Sequence, residues 1–450
     1  MKRILFVDAG DRYQIMQERY LPLWPGYLAS YIEKDLGEGK FDFRLLRRSF
    51  DKELNSYKPD LVAISSVSAR YSYAIEYARV AKEHKLPVVV GGIHISLMPH
   101  TLTDDMDVGC IGEGGETFRE LLEHFLEYGE FRPERLGGIQ GIVYRQDGAL
   151  VQTHLRPTFK TLDEMPHPKR SIVGYHRSSH MLTSRGCPFK CVFCSVTRYW
   201  REVNYASVEY VVEEIAELIA HGVKVIKFYD DLFTVHKKRL KLISEMIISC
   251  GFHKKAKFAC WARASTLSPE VVDILKNMNM VAVEMGLESG CDRTLKFLKG
   301  GGSVEENLKA IMMLKKAGIQ PKAYFIFGAP DETMEEIMET YEFIRKNPLG
   351  TVTIGTLIPF PGTPIWDYAK KRGIVSDDMD WRNLDGVILS ERLSIEEINT
   401  LRKQFNRLSL IKRLKALPKS VWLQDLPRVA TSTIGGKVLG LTRSLTKSHR

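Results

Sequence analysis

Short apolar segments alternate with helical patterns along this 450-residue chain, and this alternation restricts its fold more than any other feature. The first series has five strand-like segments, at residues 4–8, 41–46, 61–67, 88–91 and 108–111. Helical patterns lie between them, near residues 25–36, 73–84 and 117–127. Strands that alternate with helices form parallel sheets, because each helix returns the chain to the same edge. We therefore predict an α/β fold that starts with a doubly wound, flavodoxin-like parallel sheet in residues 1–127.

A second series begins near residue 179. Its six strand-like segments lie at residues 180–184, 225–229, 258–261, 281–285, 323–327 and 352–357, and helical patterns separate them. Six such repeats predict a partial (β/α)6 TIM-type barrel over residues 179–375, two repeats short of a closed barrel. Residues 128–178 are predicted to be a linker with a β-hairpin, since Asp147-Gly148 separates two strand-like segments.

The remaining residues, 376–450, are predicted to form a small, mostly helical and basic region. An amphipathic helical pattern covers residues 393–417 and is broken by Pro418. Residues 401–450 contain twelve Lys or Arg and the single acid Asp425, whereas the rest of the chain is nearly neutral. Such a tail either contacts an anionic membrane surface or is simply a solvated helix with a frayed end.

Composition and the chain start favour a cytoplasmic globular protein. Hydrophobic residues make up 44% of the chain and charged residues 27%, as in ordinary globular proteins. The apolar run after Arg3 has four residues, too few for a signal peptide, and no stretch approaches the ~18 apolar residues of a membrane span. In the cytoplasm, clustered thiols bind metal or react rather than form disulfides. We expect no nucleic-acid partner.

Three of the seven cysteines lie within eight residues, as Cys187, Cys191 and Cys194 in the pattern C-x-x-x-C-x-x-C. They follow the first strand of the predicted barrel, at the end where parallel α/β folds place their active sites. A structural zinc site normally has four protein ligands, and a disulfide would use only two of the three cysteines. Three thiolates on a four-iron cluster leave one iron open, which is what a catalytic site needs. The spacing therefore favours an iron–sulfur cluster.

This triplet, with Phe193 before its last cysteine, resembles the signature of the radical S-adenosylmethionine (radical SAM) superfamily. The resemblance implies a 4Fe-4S cluster held by Cys187, Cys191 and Cys194. It also implies that S-adenosylmethionine binds the open iron and is cleaved by one electron to a 5′-deoxyadenosyl radical. An electron donor such as flavodoxin or ferredoxin is implied as well.

Further segments at the predicted strand ends are similar to regions that bind S-adenosylmethionine in this superfamily. The residues concerned are Phe193, Asp230, Arg263, Glu288, Ser289 and Gly328. Asp230 can accept hydrogen bonds from an ammonium group or cap the next helix. Arg263 can bind a carboxylate or form a buried salt bridge with Glu284 or Glu288.

Small residues follow three strands of the first sheet, where a backbone can approach a ligand closely. Their G-G-x-H and G-E-G motifs resemble those of cobalamin-binding domains in one class of radical SAM enzymes, which implies a site at Ser66, Ser68, Gly91, Gly92, His94, Gly112 and Glu113. The D-x-H-x-x-G loop that carries a cobalt-ligating histidine in the methionine synthase type is absent after Asp8. We therefore expect no cobalt ligand from that loop, and we expect His94 to be a packing residue rather than a metal ligand.

Together these resemblances predict an enzyme that uses cobalamin to methylate an unactivated carbon of a small-molecule or lipid substrate. One alternative is a radical cyclisation or carbon–carbon bond formation without methyl transfer. A second alternative is a non-enzymatic sensor that binds the cluster or the corrinoid. The basic tail would favour peripheral membrane contact.

Overall fold

A computed structural model describes residues 1–10, 22–47, 49–200 and 202–416. The strands in these residues, in chain order, are β1 (Lys2–Asp8), β2 (Phe41–Leu45), β3 (Leu61–Ser65), β4 (Val88–Gly91), β5 (Val108–Cys110), β6 (Ile142–Gln146), β7 (Ala149–Gln152), β8 (Ser178–Met181), β9 (Ser184–Arg185), β10 (Asn204–Tyr205), β11 (Val225–Phe228), β12 (Lys257–Ala262), β13 (Met280–Glu288), β14 (Gln320–Phe327) and β15 (Thr351–Thr356).

The α-helices in the same residues pack around these strands. They are α1 (Trp24–Leu36), α2 (Phe50–Tyr57), α3 (Tyr71–Glu83), α4 (Ile93–Leu97), α5 (Gly114–Tyr128), α6 (Pro133–Leu136), α7 (Arg170–Val173), α8 (Val196–Tyr199), α9 (Val208–Ala220), α10 (Lys237–Ser249), α11 (Pro269–Asn277), α12 (Asp292–Lys299), α13 (Val304–Lys316), α14 (Met334–Lys346), α15 (Pro364–Lys371) and α16 (Ile395–Ala416).

The first sheet has the order β2-β1-β3-β4-β5-β6-β7, and β1 to β5 are parallel. This 2-1-3-4-5 order is the flavodoxin-like order, so the predicted doubly wound sheet is confirmed. The apolar strands are buried on both faces because helices cover both sides. Sequence reasoning missed the short helices α2 and α4, which have eight and five residues, too few for the longer windows in which a helical period is recognised.

The predicted hairpin exists, but it belongs to the first sheet. Strand β6 pairs antiparallel with β5, and β7 pairs antiparallel with β6. The sheet therefore continues past residue 127, where we expected a linker to begin. An antiparallel hairpin can extend a parallel sheet at its edge without a crossover helix.

The second large sheet contains six parallel strands in chain order, β8-β11-β12-β13-β14-β15. A helix follows each of these strands, as predicted for a partial barrel. One continuous apolar core fills the space between the sheet and its helices. Since β8 and β15 are the two edges, the sheet stays open on one side.

The C-terminal part of the described chain packs on both sheets. The predicted amphipathic helix is α16, whose buried residues Leu401, Phe405 and Leu408 join the core beside β15. A single-turn segment, Trp381–Gly386, packs on α3 of the first sheet. The residues after Ala416, which include the end of the basic tail, lie outside the described residues. Within the described residues, none of the helices combines the length and the apolar character needed to cross a bilayer.

Candidate functional site

The cysteine loop begins at the end of β8, and buried hydrogen bonds hold its first residues. Asp230, which follows β11, accepts hydrogen bonds from the Thr183 N–H and hydroxyl and from the Ser184 hydroxyl, each at 2.6 Å. Burial raises the pKa of Asp230, and these hydrogen bonds oppose that effect. Both carboxylate oxygens of Asp230 thus already accept hydrogen bonds from the protein. The structure places Asp230 behind the loop as a support, and its contact with a ligand stays a prediction.

Gly186 allows the chain to turn from β9 into the cysteine loop. Its φ of +90° is one that glycine adopts easily, and a Cβ at this position would lie 2.5 Å from the Glu202 carbonyl oxygen. The Gly186 N–H donates to the Asp231 carboxylate at 2.8 Å. The turn into Cys187 therefore depends on the absence of a side chain at residue 186.

Cys187, Cys191 and Cys194 are free thiols, each partly exposed on the loop. The Cys194 N–H donates to the Cys191 carbonyl oxygen at 3.3 Å, which folds the loop back on itself. The Arg263 guanidinium lies on the Phe189 ring, 4.0 Å from its centre, and is 3.6 Å from the Cys191 sulfur. Burial raises the pKa of Cys187 and raises that of Cys194 to about 12, and a bound metal would replace these protons.

This donor set fits a 4Fe-4S cluster rather than a mononuclear ion. In the described part of the chain, no three His, Cys, Asp or Glu side chains are grouped to hold one metal ion. The thiolates of a four-iron cluster bind different irons, so their sulfurs need not converge on a single point. Three reduced cysteines with a nearby guanidinium therefore suit the cluster that their spacing predicts.

Glu288, at the end of β13, has the most unusual environment of the residues expected to contact S-adenosylmethionine. Its backbone is left-handed, with a φ of +65°, which is strained for a residue with a side chain. Among the described residues, no hydrogen bond reaches its buried carboxylate. Burial raises its pKa to about 7, although Lys299 and Arg263 act in the opposite direction. A strained, unpartnered acid at a strand end is a strong candidate for binding a ligand.

The other residues expected to contact S-adenosylmethionine have partners within the protein. The Ser289 hydroxyl is fully buried and lies 2.9 Å from the Thr340 hydroxyl. The Gly328 N–H donates to Glu332 at 2.7 Å. Phe193 packs against the apolar cluster that spans the two sheets. In this arrangement the three residues shape the strand ends. Their contact with a ligand stays a prediction.

A cavity of about 250 Å³ lies at the carboxyl edge of the first sheet. Gly91, Gly92, Gly112 and Glu113 line it, and their contact with cobalamin stays a prediction. A Cβ at Gly92, whose φ is +95°, would lie 2.7 Å from the Ser66 carbonyl oxygen. The lining is mostly apolar and includes Trp24, Tyr27, Leu28 and Phe118, none of which our sequence reasoning selected. Their only sequence signal is their place in the amphipathic patterns of α1 and α5.

His94 does not line this cavity but packs inside the protein, and its contact with cobalamin stays a prediction. It is fully buried, with one ring nitrogen 3.1 Å from the Ser68 hydroxyl and the other 3.1 Å from the Thr101 hydroxyl. Its ring stacks on Tyr71 at 3.8 Å and touches Trp381 edge-on. Burial lowers its pKa to about 3. The Ser68 hydroxyl is thus already hydrogen-bonded to the His94 ring.

The polar groups of Ser66 also form hydrogen bonds within the protein. Its hydroxyl donates to the Val67 carbonyl oxygen at 2.9 Å, and its backbone carbonyl oxygen accepts from the His94 N–H at 3.2 Å. Ser66 therefore fixes the close approach of the loops after β3 and β4. It supports the cavity at Gly92 rather than lining it.

The cysteine loop forms one wall of the first-sheet cavity. Arg185 and Glu113 form a buried ion pair at 3.0 Å across the two sheets, and the Arg185 guanidinium also lies over the Tyr27 and Trp200 rings. The Tyr199 hydroxyl donates to the Gly112 carbonyl oxygen at 2.8 Å. Our sequence reasoning did not select Arg185 or Tyr199, although both flank the cysteines. The two predicted cofactor sites therefore adjoin through residues 182–200.

Two family models match the chain in the regions described above. The Radical SAM superfamily model matches residues 181–344, which include the cysteine loop and most of the partial barrel. The B12 binding domain model matches residues 27–122, which line most of the first-sheet cavity.

Similar proteins extend these matches over most of the chain. An uncharacterized methyltransferase of Pyrococcus horikoshii is 30% identical over 422 residues, covering 89% of this chain and 90% of that protein. The bacteriochlorophyllide d C-12(1)-methyltransferase of Chlorobaculum tepidum is 26% identical, covering 81% and 78%. The solved structure of the cobalamin-dependent S-adenosylmethionine radical enzyme OxsB has a TM-score of 0.73 at 18% identity, covering 97% of this chain and 70% of that one. This last similarity confirms the fold, including the partial barrel.

Proposed function

Since this chain belongs to the radical SAM superfamily and also contains a B12-binding domain, we propose that it is a cobalamin-dependent enzyme that methylates an unactivated carbon of a small molecule. The observation that carries this proposal is the shared wall between the two sites. Arg185 and Tyr199, on either side of the cysteines, contact Glu113 and Gly112 of the B12-binding domain. A radical reaction and a methyl donor can then meet the same substrate.

The residues present have distinct roles in this proposal. Cys187, Cys191 and Cys194 would hold the cluster, and the first-sheet cavity would hold part of the corrinoid. When bound, the cluster supplies one electron for the cleavage of S-adenosylmethionine, and cobalamin supplies the methyl group. Glu288 would accept hydrogen bonds from S-adenosylmethionine, because among the described residues no hydrogen bond reaches its buried carboxylate.

Water must be kept from a hydrogen-abstracting radical, and the contacts between the domains serve this purpose. The Arg185–Glu113 pair is almost fully buried, and Trp200 covers its guanidinium. On the other side, the loop before α15 approaches α4, since a Cβ at Gly362 would lie 3.4 Å from Leu97. These contacts close the junction around the cysteine loop.

Product analysis tests the proposal. The purified protein, reconstituted anaerobically with iron, sulfide and cobalamin, is incubated with a reductant, S-adenosylmethionine labelled in its methyl group, and an extract of small molecules. Methyl transfer predicts labelled product with both S-adenosylhomocysteine and 5′-deoxyadenosine. Formation of 5′-deoxyadenosine alone would instead support cyclisation or carbon–carbon bond formation. Failure of the reconstituted protein to cleave S-adenosylmethionine would contradict the proposal altogether.

We propose two partners. A low-potential electron donor, flavodoxin or ferredoxin, would reduce the cluster, and replacing the chemical reductant by each protein tests this. Peripheral contact with anionic lipid is proposed from the basic residues of 401–450, of which Lys403 and Arg407 are exposed on α16. Co-sedimentation with phosphatidylglycerol vesicles should fall when residues 417–450 are removed, and unchanged sedimentation would contradict membrane contact.

A further inference from the structure

The inner face of the partial barrel is unusually polar. Strand residues on the other face, among them Phe228, Cys260, Met285 and Phe325, pack against the helices in the apolar core. Because side chains alternate along a strand, the residues between them face inward. These are Lys227, Tyr229, Trp261, Glu284, Lys322 and Tyr324, which we call the inner-face cluster. Closed eightfold barrels usually fill this space with branched apolar side chains, whereas this sheet has six strands and stays open.

Three side chains of the inner-face cluster contact one carboxylate, that of Glu284. Glu284 lies 2.8 Å from the Lys227 ammonium and 3.5 Å from the Lys322 ammonium, and it accepts a hydrogen bond from the Tyr324 hydroxyl at 2.6 Å. Burial acts to raise the pKa of Glu284, but its bonds with Lys227 and Tyr324 hold the pKa below its ordinary value. One negative charge thus faces two positive charges within the cluster.

Lys322 is the cation best placed for a ligand. Its side chain is 31% exposed, whereas that of Lys227 is 10% exposed. Its distance to Glu284 is also the longer of the two, at the outer limit of a hydrogen bond. A lysine ammonium has three N–H groups, each of which can donate a hydrogen bond. Lys322 can therefore bind a second anion while Lys227 keeps Glu284 ionised.

Aromatic rings lie beside the other cation of the cluster, Lys227, which shares Glu284 with Lys322. The Trp261 and Tyr324 rings lie 4.7 Å apart at an angle of 35°, and the Lys227 ammonium lies over the Trp261 and Tyr229 rings. Tyr229 is 43% exposed, although it is a large aromatic residue. The exposed Tyr229 ring, in a cluster that also holds the partly exposed Lys322 ammonium, suits a flat conjugated molecule with an anionic group.

Two strands of the cluster lead towards the cysteine loop. Trp261 is two residues before Arg263 on the same face of the chain, and the Arg263 guanidinium is 3.6 Å from the Cys191 sulfur. Glu284 is likewise two residues before Gly286, in the strand that ends at Glu288. A molecule held by the cluster would therefore be presented to the site where the proposed reaction starts.

We propose that the inner-face cluster binds the substrate and selects a planar conjugated molecule that carries a carboxylate, with Lys322 as the residue that pairs with this carboxylate. This inference rests on the proposed function, since it assigns a substrate class to the same reaction. Trp261 and Tyr229 would contact the ring system, and Lys227 would position Glu284.

Matched probes test the inference without knowledge of the natural substrate. 2-Naphthoate and 2-naphthalenemethanol share a flat ring system and differ in charge. Their binding to the holoenzyme, loaded with cluster, cobalamin and S-adenosylmethionine but without reductant, is measured by calorimetry. We expect the acid to bind about tenfold more tightly than the alcohol, as for one charge-assisted hydrogen bond.

Variants at one position then identify the anchor. Lys322→Met and Lys322→Gln should each remove the preference for the acid and leave binding of the alcohol within about twofold, whereas Lys322→Arg should keep the preference. Lys316→Met, on the exposed face of α13, is the control and should change neither. Equal binding of the two probes to the wild type, or an unchanged preference in both Lys322 variants, would overturn the inference and leave the cluster a structural ion network.

A separate measurement keeps the two proposals apart. The wild type and Lys322→Met are incubated with reductant and S-adenosylmethionine, and 5′-deoxyadenosine is quantified. If the wild type forms 5′-deoxyadenosine but shows no preference for the acid, the substrate inference alone fails. If the preference is present and no 5′-deoxyadenosine forms, the proposed function fails instead.

Discussion

At the scale of single residues, buried acids at the strand ends have different tasks despite similar sequence settings. Asp230 is fully engaged by Thr183 and Ser184, whereas Glu288 has a strained backbone and no hydrogen-bond partner among the described residues. Both follow apolar strands that sequence patterns identify. Sequence reasoning cannot separate a supporting acid from a ligand-binding one, because the difference depends on which neighbouring strand donates hydrogen bonds.

Glu332 makes stability depend on pH. It is buried, and one of its oxygens accepts from the Gly328 and Ala329 N–H groups, while burial raises its pKa to about 7. In the unfolded chain this pKa is near 4.5, so the folded state binds more protons between these values and stability falls as pH rises through them. Gln can keep both hydrogen bonds through its amide oxygen. We therefore expect Glu332→Gln to lose less stability than the wild type between pH 5 and pH 8 in denaturant titrations.

The same titrations with Glu335→Gln provide the control, because Glu335 lies on the exposed face of α14. This variant should follow the wild-type dependence on pH. An identical pH dependence in Glu332→Gln and the wild type would show that Glu332 is ionised throughout this range in the folded protein.

Gly92 and Gly91 form a matched pair for testing the close approach of two loops. Ala at residue 92 would combine a left-handed backbone with a clash against Ser66, so we expect a loss of more than about 2 kcal/mol in the free energy of unfolding. A Cβ at residue 91 meets its nearest neighbour at an ordinary 3.8 Å. Gly91→Ala should therefore change stability by less than about 1 kcal/mol. Chemical unfolding of the apoprotein measures both, and equal losses would contradict the assigned contact.

At the scale of elements, the pattern before Pro418 predicted α16 nearly to its ends, because its buried residues Ile398, Leu401, Phe405 and Leu408 recur at helical spacing. The pattern did not reveal the surface on which the helix packs. That surface includes the edge strand β15, where the Ser409 hydroxyl and the Arg402 guanidinium bond to Val352 and Thr356. Helix α16 thus covers an edge that the open barrel would otherwise expose.

The Phe405 side chain should contribute much of the free energy that holds α16 against the rest of the protein. It is 1% exposed and contacts the Phe327 and Tyr341 rings, with centroids 5.1 and 5.7 Å away. We expect Phe405→Ala to lower the free energy of unfolding by about 3–5 kcal/mol, the usual cost of such a cavity. Ile411→Ala, on the exposed side of the same helix, should cost less than about 1 kcal/mol. Similar losses in the two variants would mean that α16 is not docked as described.

At the scale of the whole molecule, two ion pairs connect the parts that pack together, and they should differ in energy. Arg185–Glu113 is almost fully buried, whereas Arg382–Glu76 is 44% exposed on both sides. Breaking a buried pair leaves an uncompensated charge and costs about 3–5 kcal/mol. An exposed pair contributes about 1 kcal/mol or less.

A double-mutant cycle measures this difference. Arg185→Met and Glu113→Gln, singly and together, should show a coupling energy above about 1.5 kcal/mol in chemical unfolding. Arg382→Met with Glu76→Gln should show less than about 1 kcal/mol. If the coupling at Arg185 and Glu113 were no larger than at the exposed pair, the junction between the two sites would not depend on this contact.

The sequence by itself determined the two parallel sheets and the cysteine triplet, because these depend on local periodicity and on the spacing of neighbouring residues. The class of chemistry followed from the resemblance of its motifs to those of a known superfamily. The hairpin was also predicted from its turn, but its pairing with β5 depended on which sheet edge was free. Only the tertiary structure decided which residues pack around His94 and that Arg185 joins the two sites. It also brought Lys227, Glu284 and Lys322 together from three strands. Such contacts join residues far apart in the chain, and no local pattern records which side chains meet across a sheet or between two domains.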